Sequence, residues 1–177
     1  MKTSGSRVKA ADFDKDGDLD LFVGGRQKPG QYPEPLNSFL MRNDSKSGKM
    51  KFTNITETNA KPLMNLGMVT DAIWLDVNND TWLDIIVVGE WMSPVLLKNN
   101  KGVFENISET SGLSKEVGWW FSIASEDFDG DGDEDLIAGN LGLNYKYKAT
   151  PEAPFEVYQK DFDDNGQLDI VLGYYDL

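Results

Sequence analysis

The sequence contains no cysteine and no histidine among its 177 residues. Their absence excludes disulfides, thiolate nucleophiles, Cys/His zinc sites and every catalytic triad that uses histidine. Basic side chains are also scarce, because 17 Lys plus Arg stand against 30 Asp plus Glu, giving a net charge of −13. Since a nucleic-acid surface needs clustered basic residues, this balance argues against nucleic acid as a partner and favours a cation.

Long hydrophobic runs are missing as well. The apolar stretches fall far short of the roughly 20 residues that cross a bilayer, so we expect no membrane insertion. The chain also has no sustained i, i+3, i+4 apolar stripe, which excludes helical solenoid repeats. Its length suits one domain with a real core, and we treat residues 1–177 as a single unit.

One acidic segment recurs four times, and it is the most informative feature of the sequence. The copies, which we call loops 1 to 4, occupy residues 12–20, 76–84, 127–135 and 161–169. Within each nine-residue copy, Asp or Asn holds positions 1, 3, 5 and 9. Position 2 is always apolar, and an apolar run follows position 9.

The spacing of these side chains predicts calcium binding. In a tightly curled loop, side chains at positions 1, 3 and 5 turn toward one point, position 7 offers its backbone carbonyl, and position 9 closes the shell of oxygen ligands. Position 6 needs a positive φ, which suits Gly17, Gly132 and Gly166 but not Thr81 of loop 2. A solvated turn would explain one such loop, but four in register favour metal, with loop 2 the weakest site.

The EF-hand shares this acidic opening but requires a bidentate Glu at position 12 and flanking helices. Position 12 is here Val23, Val87, Ala138 and Leu172, none of which binds calcium through its side chain. The apolar run after each loop reads as a strand buried on both faces. Each loop is therefore predicted to join one strand to the next.

A second pattern recurs between the loops. Residues 39–43 and 52–57 correspond to residues 96–100 and 104–109, and loops 2 and 3 begin 51 residues apart. One repeat thus reads as strand, acidic loop, strand, turn with Asn, strand, turn with Gly, strand. We predict an all-β fold, a partial β-propeller of about three to four blades of antiparallel four-stranded sheets with calcium-binding loops between strands.

The loops and the strands after them resemble the FG-GAP/VCBS repeats of integrin-α-type propellers. Segments 88–92, 118–120 and 138–144 are similar, more narrowly, to bacterial extracellular proteins of the ASPIC/UnbV group. The resemblance covers nearly the whole chain and implies calcium ligation at positions 1, 3, 5, 7 and 9. The side-chain ligands it assigns are Asp12, Asp14, Asp16, Asp20, Asp76, Asn78, Asp80, Asp84, Asp127, Asp129, Asp131, Asp135, Asp161, Asp163, Asn165 and Asp169. The position 7 carbonyls are those of Asp18, Trp82, Asp133 and Gln167.

The spacing of the loops indicates an incomplete ring. Successive loops begin 64, 51 and 34 residues apart, and eight residues follow Asp169. The long first interval carries a proline-rich insertion at residues 27–35, which suits an exposed loop. Because fewer than about four blades cannot close a ring, the chain is either a segment of a larger propeller or one of two copies that complete a ring. Either explanation predicts self-association through open edges.

Aromatic residues suggest a second kind of site. Adjacent Trp119 and Trp120 are expected to point to opposite faces of a strand, as core residues or as part of a sugar-stacking surface. Such a surface would also use Trp91, Tyr145 or Tyr147. Glu90, beside Trp91, is either a carboxylate of that surface or part of a salt bridge between blades.

Catalysis is not expected from these carboxylates. A glycosidase needs two carboxylates roughly 5 to 9 Å apart, and the non-loop candidates Glu90, Glu126 and Glu156 are scattered over different elements. The sequence therefore predicts a calcium-binding module for binding, adhesion or scaffolding, with a protein or glycan ligand. The alternative is a carbohydrate-active enzyme domain, either a glycoside hydrolase or a lyase.

The compartment can be predicted from the calcium concentration that the sites need. Sites of modest affinity fill at the millimolar calcium found outside the cell. We expect an extracellular, periplasmic or cell-surface protein. Loops 1 and 3, with four carboxylates each, are expected to bind calcium more tightly than loops 2 and 4, with three carboxylates and one Asn.

Overall fold

The computed structural model describes residues 4–142 and 144–175, which form antiparallel β-sheets. The strands are β1 Ser4–Ala11, β2 Asp20–Gln27, β3 Phe39–Asn43, β4 Phe52–Asn54, β5 Met68–Leu75, β6 Asp84–Met92, β7 Val95–Asn99, β8 Phe104–Asn106, β9 Gly118–Glu126, β10 Asp135–Asn140, β11 Glu156–Lys160 and β12 Asp169–Gly173. Helical segments are short: α1 Thr56–Asn59 and the 3-10 turns Lys61–Leu63 and Leu113–Lys115. In the described ranges, no helix has the length and apolar character needed to span a membrane.

The first two repeats each form a four-stranded antiparallel blade. Strands β1 to β4 lie in chain order in one sheet. The second repeat follows the same order, since β5 pairs with β6, β6 with β7 and β7 with β8. Loop 1 joins β1 to β2 and loop 2 joins β5 to β6. The predicted blade, with its acidic loop between the first and second strands, is confirmed for both repeats.

The third and fourth repeats have two strands each in the part of the chain that the structure describes. Strands β9 and β10 pair on either side of loop 3, and β11 and β12 pair on either side of loop 4. Strand β9 also pairs with β6, through Glu90 with Trp119 and Met92 with Gly118. The second and third repeats therefore share one six-stranded sheet, and the whole is a partial, open propeller-like fold.

The main core lies between the first and second blades. Phe13, at position 2 of loop 1, is 1% exposed and stacks on Trp74 of β5 with ring centroids 6.3 Å apart. The ring of Phe104 from β8 lies 5.6 Å from Phe13 on another side. A second cluster, between the second and third repeats, contains Leu75, Ile86, Val88, Leu96 and Ile123. The second repeat thus covers apolar residues of the first, and the third repeat covers apolar residues of the second.

Two predictions about burial are wrong for the third and fourth repeats. The strands after loops 3 and 4 are not buried on both faces, since Ile137 of β10 is 56% exposed and Val171 of β12 is 48% exposed. At loop position 2, Phe128 and Phe162 are 53% and 54% exposed. The reason is that a complete four-stranded blade follows the first repeat, with β5 packed against β1 and β2, whereas among the described residues no complete blade follows the third or the fourth repeat.

The insertion in the first interval is also less exposed than predicted. Strand β2 continues into it as far as Gln27, and most of the residues that follow are half-buried. The hydroxyl of Tyr32 accepts a hydrogen bond from Trp91 Nε1 at 2.8 Å. The insertion therefore packs against the end of β6 in the second blade.

Candidate functional site

The structure brings the carboxylates of positions 1, 3 and 9 together in three of the loops. In each cluster, one oxygen atom per residue lies within 4.8 Å of the others. The clusters are Asp12, Asp14 and Asp20 in loop 1, Asp127, Asp129 and Asp135 in loop 3, and Asp161, Asp163 and Asp169 in loop 4. Calcium binds oxygen at about 2.3–2.6 Å, so its ligands are separated by up to about 5 Å. The clusters therefore fit a calcium ion.

A shared set of hydrogen bonds shapes all four loops. The position 1 carboxylate accepts the backbone N–H of position 6 at 2.6–3.1 Å. The position 3 side chain accepts the N–H of position 5 at 3.0–3.3 Å. The position 5 side chain accepts the N–H of position 7 at 2.8–3.1 Å. These bonds hold the predicted side-chain ligands in the curl of each loop.

Loop 2 adopts the same conformation despite its departures from the pattern. Thr81 has φ 72, close to the positive values of Gly17 and Gly166 at the same position. The Thr81 N–H donates to Asp76 at 2.6 Å, as the position 6 N–H does in the other loops. Asn78 at position 3 supplies an amide oxygen in place of a carboxylate. Loop 2 is thus built like its neighbours, but with one negative charge fewer than loop 1.

Each loop contains a second reversal, at position 4, that the sequence analysis missed. The residues there are Lys15, Asn79, Gly130 and Asp164, and their φ values lie between 57 and 78. Asn, Asp and Gly adopt this left-handed conformation more readily than other residues. The residue type at position 4 therefore indicated this reversal in loops 2, 3 and 4, whereas the lysine at position 15 of loop 1 gave no such indication.

Lys15 ties loop 1 to loop 2. Its Nζ donates to Thr81 Oγ1 at 2.5 Å and lies 4.5 Å from the ring centre of Trp82. A glycine at position 81 would lack this hydroxyl acceptor. The departure from glycine in loop 2 therefore has a structural use, because it links two neighbouring acidic loops.

Position 9 is anchored by the third strand in the two complete blades. Asp20 accepts the N–H of Asn43 at 2.7 Å, and Asp84 accepts the N–H of Asn99 at 2.6 Å. The side-chain amides of both asparagines donate to the position 8 carbonyl, at 3.1 and 3.0 Å. The sequence showed this Asn as a recurring turn residue, but its role depends on strand pairing that only the structure reveals.

Loop 1 is the loop best prepared for a cation. Asp12 Oδ1, Asp18 Oδ1 and Asp20 Oδ2 are buried carboxylate oxygens with no hydrogen-bond partner among the described residues. Burial raises the pKa of Asp20 to about 6 and also raises the pKa of Asp14. A buried carboxylate oxygen without a donor is costly, and a bound divalent ion removes that cost. The residues of loop 1 therefore fit calcium.

Loops 3 and 4 have less support around them. In both loops the position 9 carboxylate accepts the backbone N–H of position 2. Asp135 accepts the Phe128 N–H at 3.1 Å, and Asp169 accepts the Phe162 N–H at 3.0 Å. In the described chain, no third-strand Asn reaches either aspartate. In loop 3, repulsion from Asp131 is the main cause that raises the pKa of Asp133. The stronger binding expected of loop 3 from its carboxylate count stays a prediction.

The carboxylates considered for catalysis lie on different strands, and Glu90 is well separated from Glu126, because Glu90 pairs with Trp119 near the start of β9 whereas Glu126 ends that strand. Glu90 is buried at the end of β6 remote from the loops, with its Oε1 2.5 Å from Arg26 Nη2. This ion pair links the first and second blades, one of the two roles considered for Glu90. Glu126 ends β9 beside loop 3, and Glu156 begins β11, where its Oε2 accepts the Tyr158 hydroxyl at 2.8 Å.

Comparison with known families supports the repeat assignment. Residues 76–138 match the family model of the FG-GAP-like repeat. The match begins at position 1 of loop 2 and ends in β10, so it includes the outer strands of the second blade and loop 3. The fold and this match together support a β-propeller-type repeat module. No curated protein matches the chain.

Proposed function

We propose that this chain is a calcium-stabilised, non-catalytic β-propeller module that binds or scaffolds other molecules outside the cytoplasm. The observation that carries the proposal is the convergence of three carboxylates in each of three loops, within 4.8 Å. In loop 1 the convergence leaves buried oxygens without donors. Carboxylates held this close repel one another unless a cation lies between them.

The proposed ion holds strands together. In each loop, the side chains at positions 1, 3, 5 and 9 and the carbonyl at position 7 would bind it. Because the loop joins the first two strands of a repeat, the ion fixes both strand ends. Calcium at 100 times the dissociation constant of a site stabilises the fold by about 2.7 kcal/mol. Several such sites would decide whether a small open array stays folded.

Location and ligand class belong to the same proposal. Sites of modest affinity fill at the calcium concentrations found outside cells, which supports an extracellular, periplasmic or cell-surface location. The ligand is a protein or a glycan, and the net charge of −13 disfavours nucleic acid. The narrower relation to the bacterial ASPIC/UnbV group is also part of this proposal, on the strength of segments 88–92, 118–120 and 138–144.

A matched pair of variants tests the ligand assignment. Asp131 and Asn165 occupy position 5 of loops 3 and 4, and each accepts the N–H of position 7. Asp131→Ala removes a charged ligand, so we expect calcium affinity at loop 3 to fall at least about tenfold, or about 1.4 kcal/mol. Asn165→Ala removes a neutral ligand, and its effect on loop 4 should be smaller. Calorimetric titration with calcium measures both, and equal losses would contradict the assignment.

The open edges of β10 and β12 are the proposed surfaces of self-association. Ile137 and Val171 are exposed on strands that lie at sheet edges among the described residues. Unpaired strand edges with apolar side chains attract further strands. Sedimentation velocity over a range of protein concentrations should show concentration-dependent association. A chain that stays strictly monomeric up to high concentration contradicts this part of the proposal.

A carbohydrate-active enzyme is the second candidate, because buried Glu90 lies beside Trp91. The separation of Glu90 from Glu126 along the sheet argues against a catalytic carboxylate pair. Incubation with polysaccharides separates the two functions. A binding module leaves them intact, whereas a hydrolase produces new reducing ends and a lyase produces new unsaturated ends.

A further inference from the structure

A group of aromatic side chains lies at the strand ends remote from the acidic loops. We call it the aromatic cluster; its members are Trp91, Trp119, Tyr145, Tyr147, Phe155 and Tyr174. Each ring contacts at least one other, and the ring centroids in contact are 4.4–6.4 Å apart. The cluster draws its rings from β6, β9, the segment before β11 and the segment after β12.

The aromatic cluster differs from an ordinary core. Its rings remain partly accessible, and Tyr174 is 55% exposed. Trp91 has φ 57, a left-handed conformation that a bulky residue seldom adopts. The pairing of β6 with β9 is irregular between Glu90 and Met92, on either side of this tryptophan. Such a bulge redirects a side chain, and Trp91 meets Trp119 edge-on at 4.8 Å.

A buried polar network adjoins the cluster. Glu90 is 8% exposed, and its two oxygens contact different partners. Its Oε1 pairs with Arg26 Nη2 at 2.5 Å, and its Oε2 accepts the hydroxyl of Tyr32 at 3.4 Å. The same hydroxyl accepts the N–H of Trp91 at 2.8 Å. The network therefore connects directly to the rings, and the charge of Arg26 is balanced by that of Glu90.

Three polar atoms in this region are buried and have no hydrogen-bond partner among the described residues. They are Arg26 Nη1, Trp119 Nε1 and Gln31 Oε1. Gln31 and Tyr32 are held beside the fourth repeat, because both of their carbonyls accept the side-chain amide of Gln159 at 3.1 Å. Unpaired buried polar atoms are rare in folded proteins. Trp119 belongs to the aromatic cluster, whereas Arg26 and Gln31 adjoin it through Glu90 and Tyr32, so two donors and one acceptor without partners border the cluster.

We propose that the aromatic cluster and these three polar atoms bind a sugar ring of a neutral glycan. This inference rests on the proposed binding function and gives it a ligand class. Aromatic rings pack against the C–H face of a sugar, and convergent polar groups fix its orientation. A hydroxyl group both donates and accepts hydrogen bonds, so the hydroxyl groups of a glycan offer partners to the Arg26 and Trp119 donors as well as to the Gln31 acceptor.

Other ligand classes fit this chemistry less well. An anion would gain little electrostatic attraction from Arg26, because Glu90 already neutralises the charge of Arg26. An organic cation is attracted to aromatic faces. However, its cationic group cannot accept hydrogen bonds from the free N–H groups of Arg26 and Trp119, and Lys146 already lies 4.5 Å from the ring centre of Tyr147. The neutral sugar is the ligand that uses both the rings and the polar atoms.

Affinity gel electrophoresis of the full chain in saturating calcium tests the site. The probes are xyloglucan, galactomannan, mixed-linkage β-glucan, xylan, soluble starch and a neutral bacterial capsular glucan. We expect at least one to slow the migration of the protein. Oligosaccharides from that polymer should change the tryptophan fluorescence, because Trp91 and Trp119 both lie in the site.

Two variants separate binding from folding. Trp119→Phe keeps an aromatic ring and removes the Nε1 donor, whereas Tyr147→Ala removes a stacking surface. Each should weaken retention about tenfold or more while the melting temperature in calcium stays close to that of the parent. Phe128→Ala is the control, because Phe128 is an exposed aromatic residue in loop 3, which follows the opposite end of β9. Its retention should equal that of the parent.

Three results would overturn the proposal: no retention by any probe, equal weakening by Phe128→Ala and Tyr147→Ala, or binding of choline in place of sugars. Calcium titration of the same preparation reports on the proposed function separately. Sugar retention without any calcium binding supports this site and contradicts the calcium-stabilised module. Calcium binding without sugar retention supports the calcium-stabilised module and contradicts the sugar site.

Discussion

Removing calcium should lower the melting temperature of the protein by about 5–10 °C for each site that had been filled at 100 times its dissociation constant. The physical reason is clearest in loop 1, where Asp12, Asp18 and Asp20 have buried oxygens without donors among the described residues. Without a cation, these carboxylates repel one another and lack compensating bonds. Calorimetry in EDTA, followed by added calcium, measures the change.

Magnesium and two variants provide the controls for this result. Magnesium should restore less of the melting temperature than calcium, because it prefers a rigid six-oxygen shell. Asp20→Asn keeps the shape of the side chain but removes a charged ligand, and it should reduce the calcium-dependent rise. Asp164→Asn changes a residue at position 4 of loop 4, outside the predicted ligands, and should leave the rise unchanged. Identical melting curves in EDTA and calcium would refute the structural role of the ion.

Phe13→Ala should destabilise the protein by about 3–5 kcal/mol, the usual cost of emptying a buried phenylalanine site. Phe13 is 1% exposed between Trp74 and Phe104 of the second blade, so its loss leaves a cavity at the contact between blades. For a chain of this size, the melting temperature should fall by about 6–20 °C. Urea unfolding in saturating calcium measures the free-energy change.

The repeat supplies the control for this substitution. Phe128 occupies the same loop position as Phe13 but is 53% exposed. Phe128→Ala should therefore change the free energy of unfolding by no more than about 0.5 kcal/mol. Comparable losses from Phe13→Ala and Phe128→Ala would mean that the third repeat is covered in solution. That result would contradict the open face described for β10.

The repeat architecture could be predicted because its determinants are local. Acidic residues at alternate positions of each loop, with Gly17, Gly132 and Gly166 at the reversal, specify the curl through side-chain and backbone geometry alone. The apolar runs on either side then specify strands. The alignment of residues 39–43 with residues 96–100 was one position out, because it set Asn43 against Asn100, whereas the structure shows Asn43 and Asn99 bonded to position 9 of their loops.

The contacts between repeats could not be predicted, because they depend on residues far apart in the chain. Phe13 and Phe128 follow the same local sequence pattern, yet one is buried and the other exposed, according to whether a complete blade follows. Asn99 also donates to the carbonyl of Phe13 at 2.9 Å, across 86 positions. The sequence left two roles open for Glu90, and its ion pair with Arg26 is a contact between blades that no local pattern specifies.

A crystal structure of the protein grown in millimolar calcium tests the central claim most directly. The account predicts an ion in loop 1, bound at about 2.3–2.6 Å by carboxylate oxygens of Asp12, Asp14, Asp16 and Asp20 and by the carbonyl oxygen of Asp18. The equivalent positions of the other loops should hold the same ion. Loops that keep this curl but contain water alone, or loops that are wound into helices, would contradict the account.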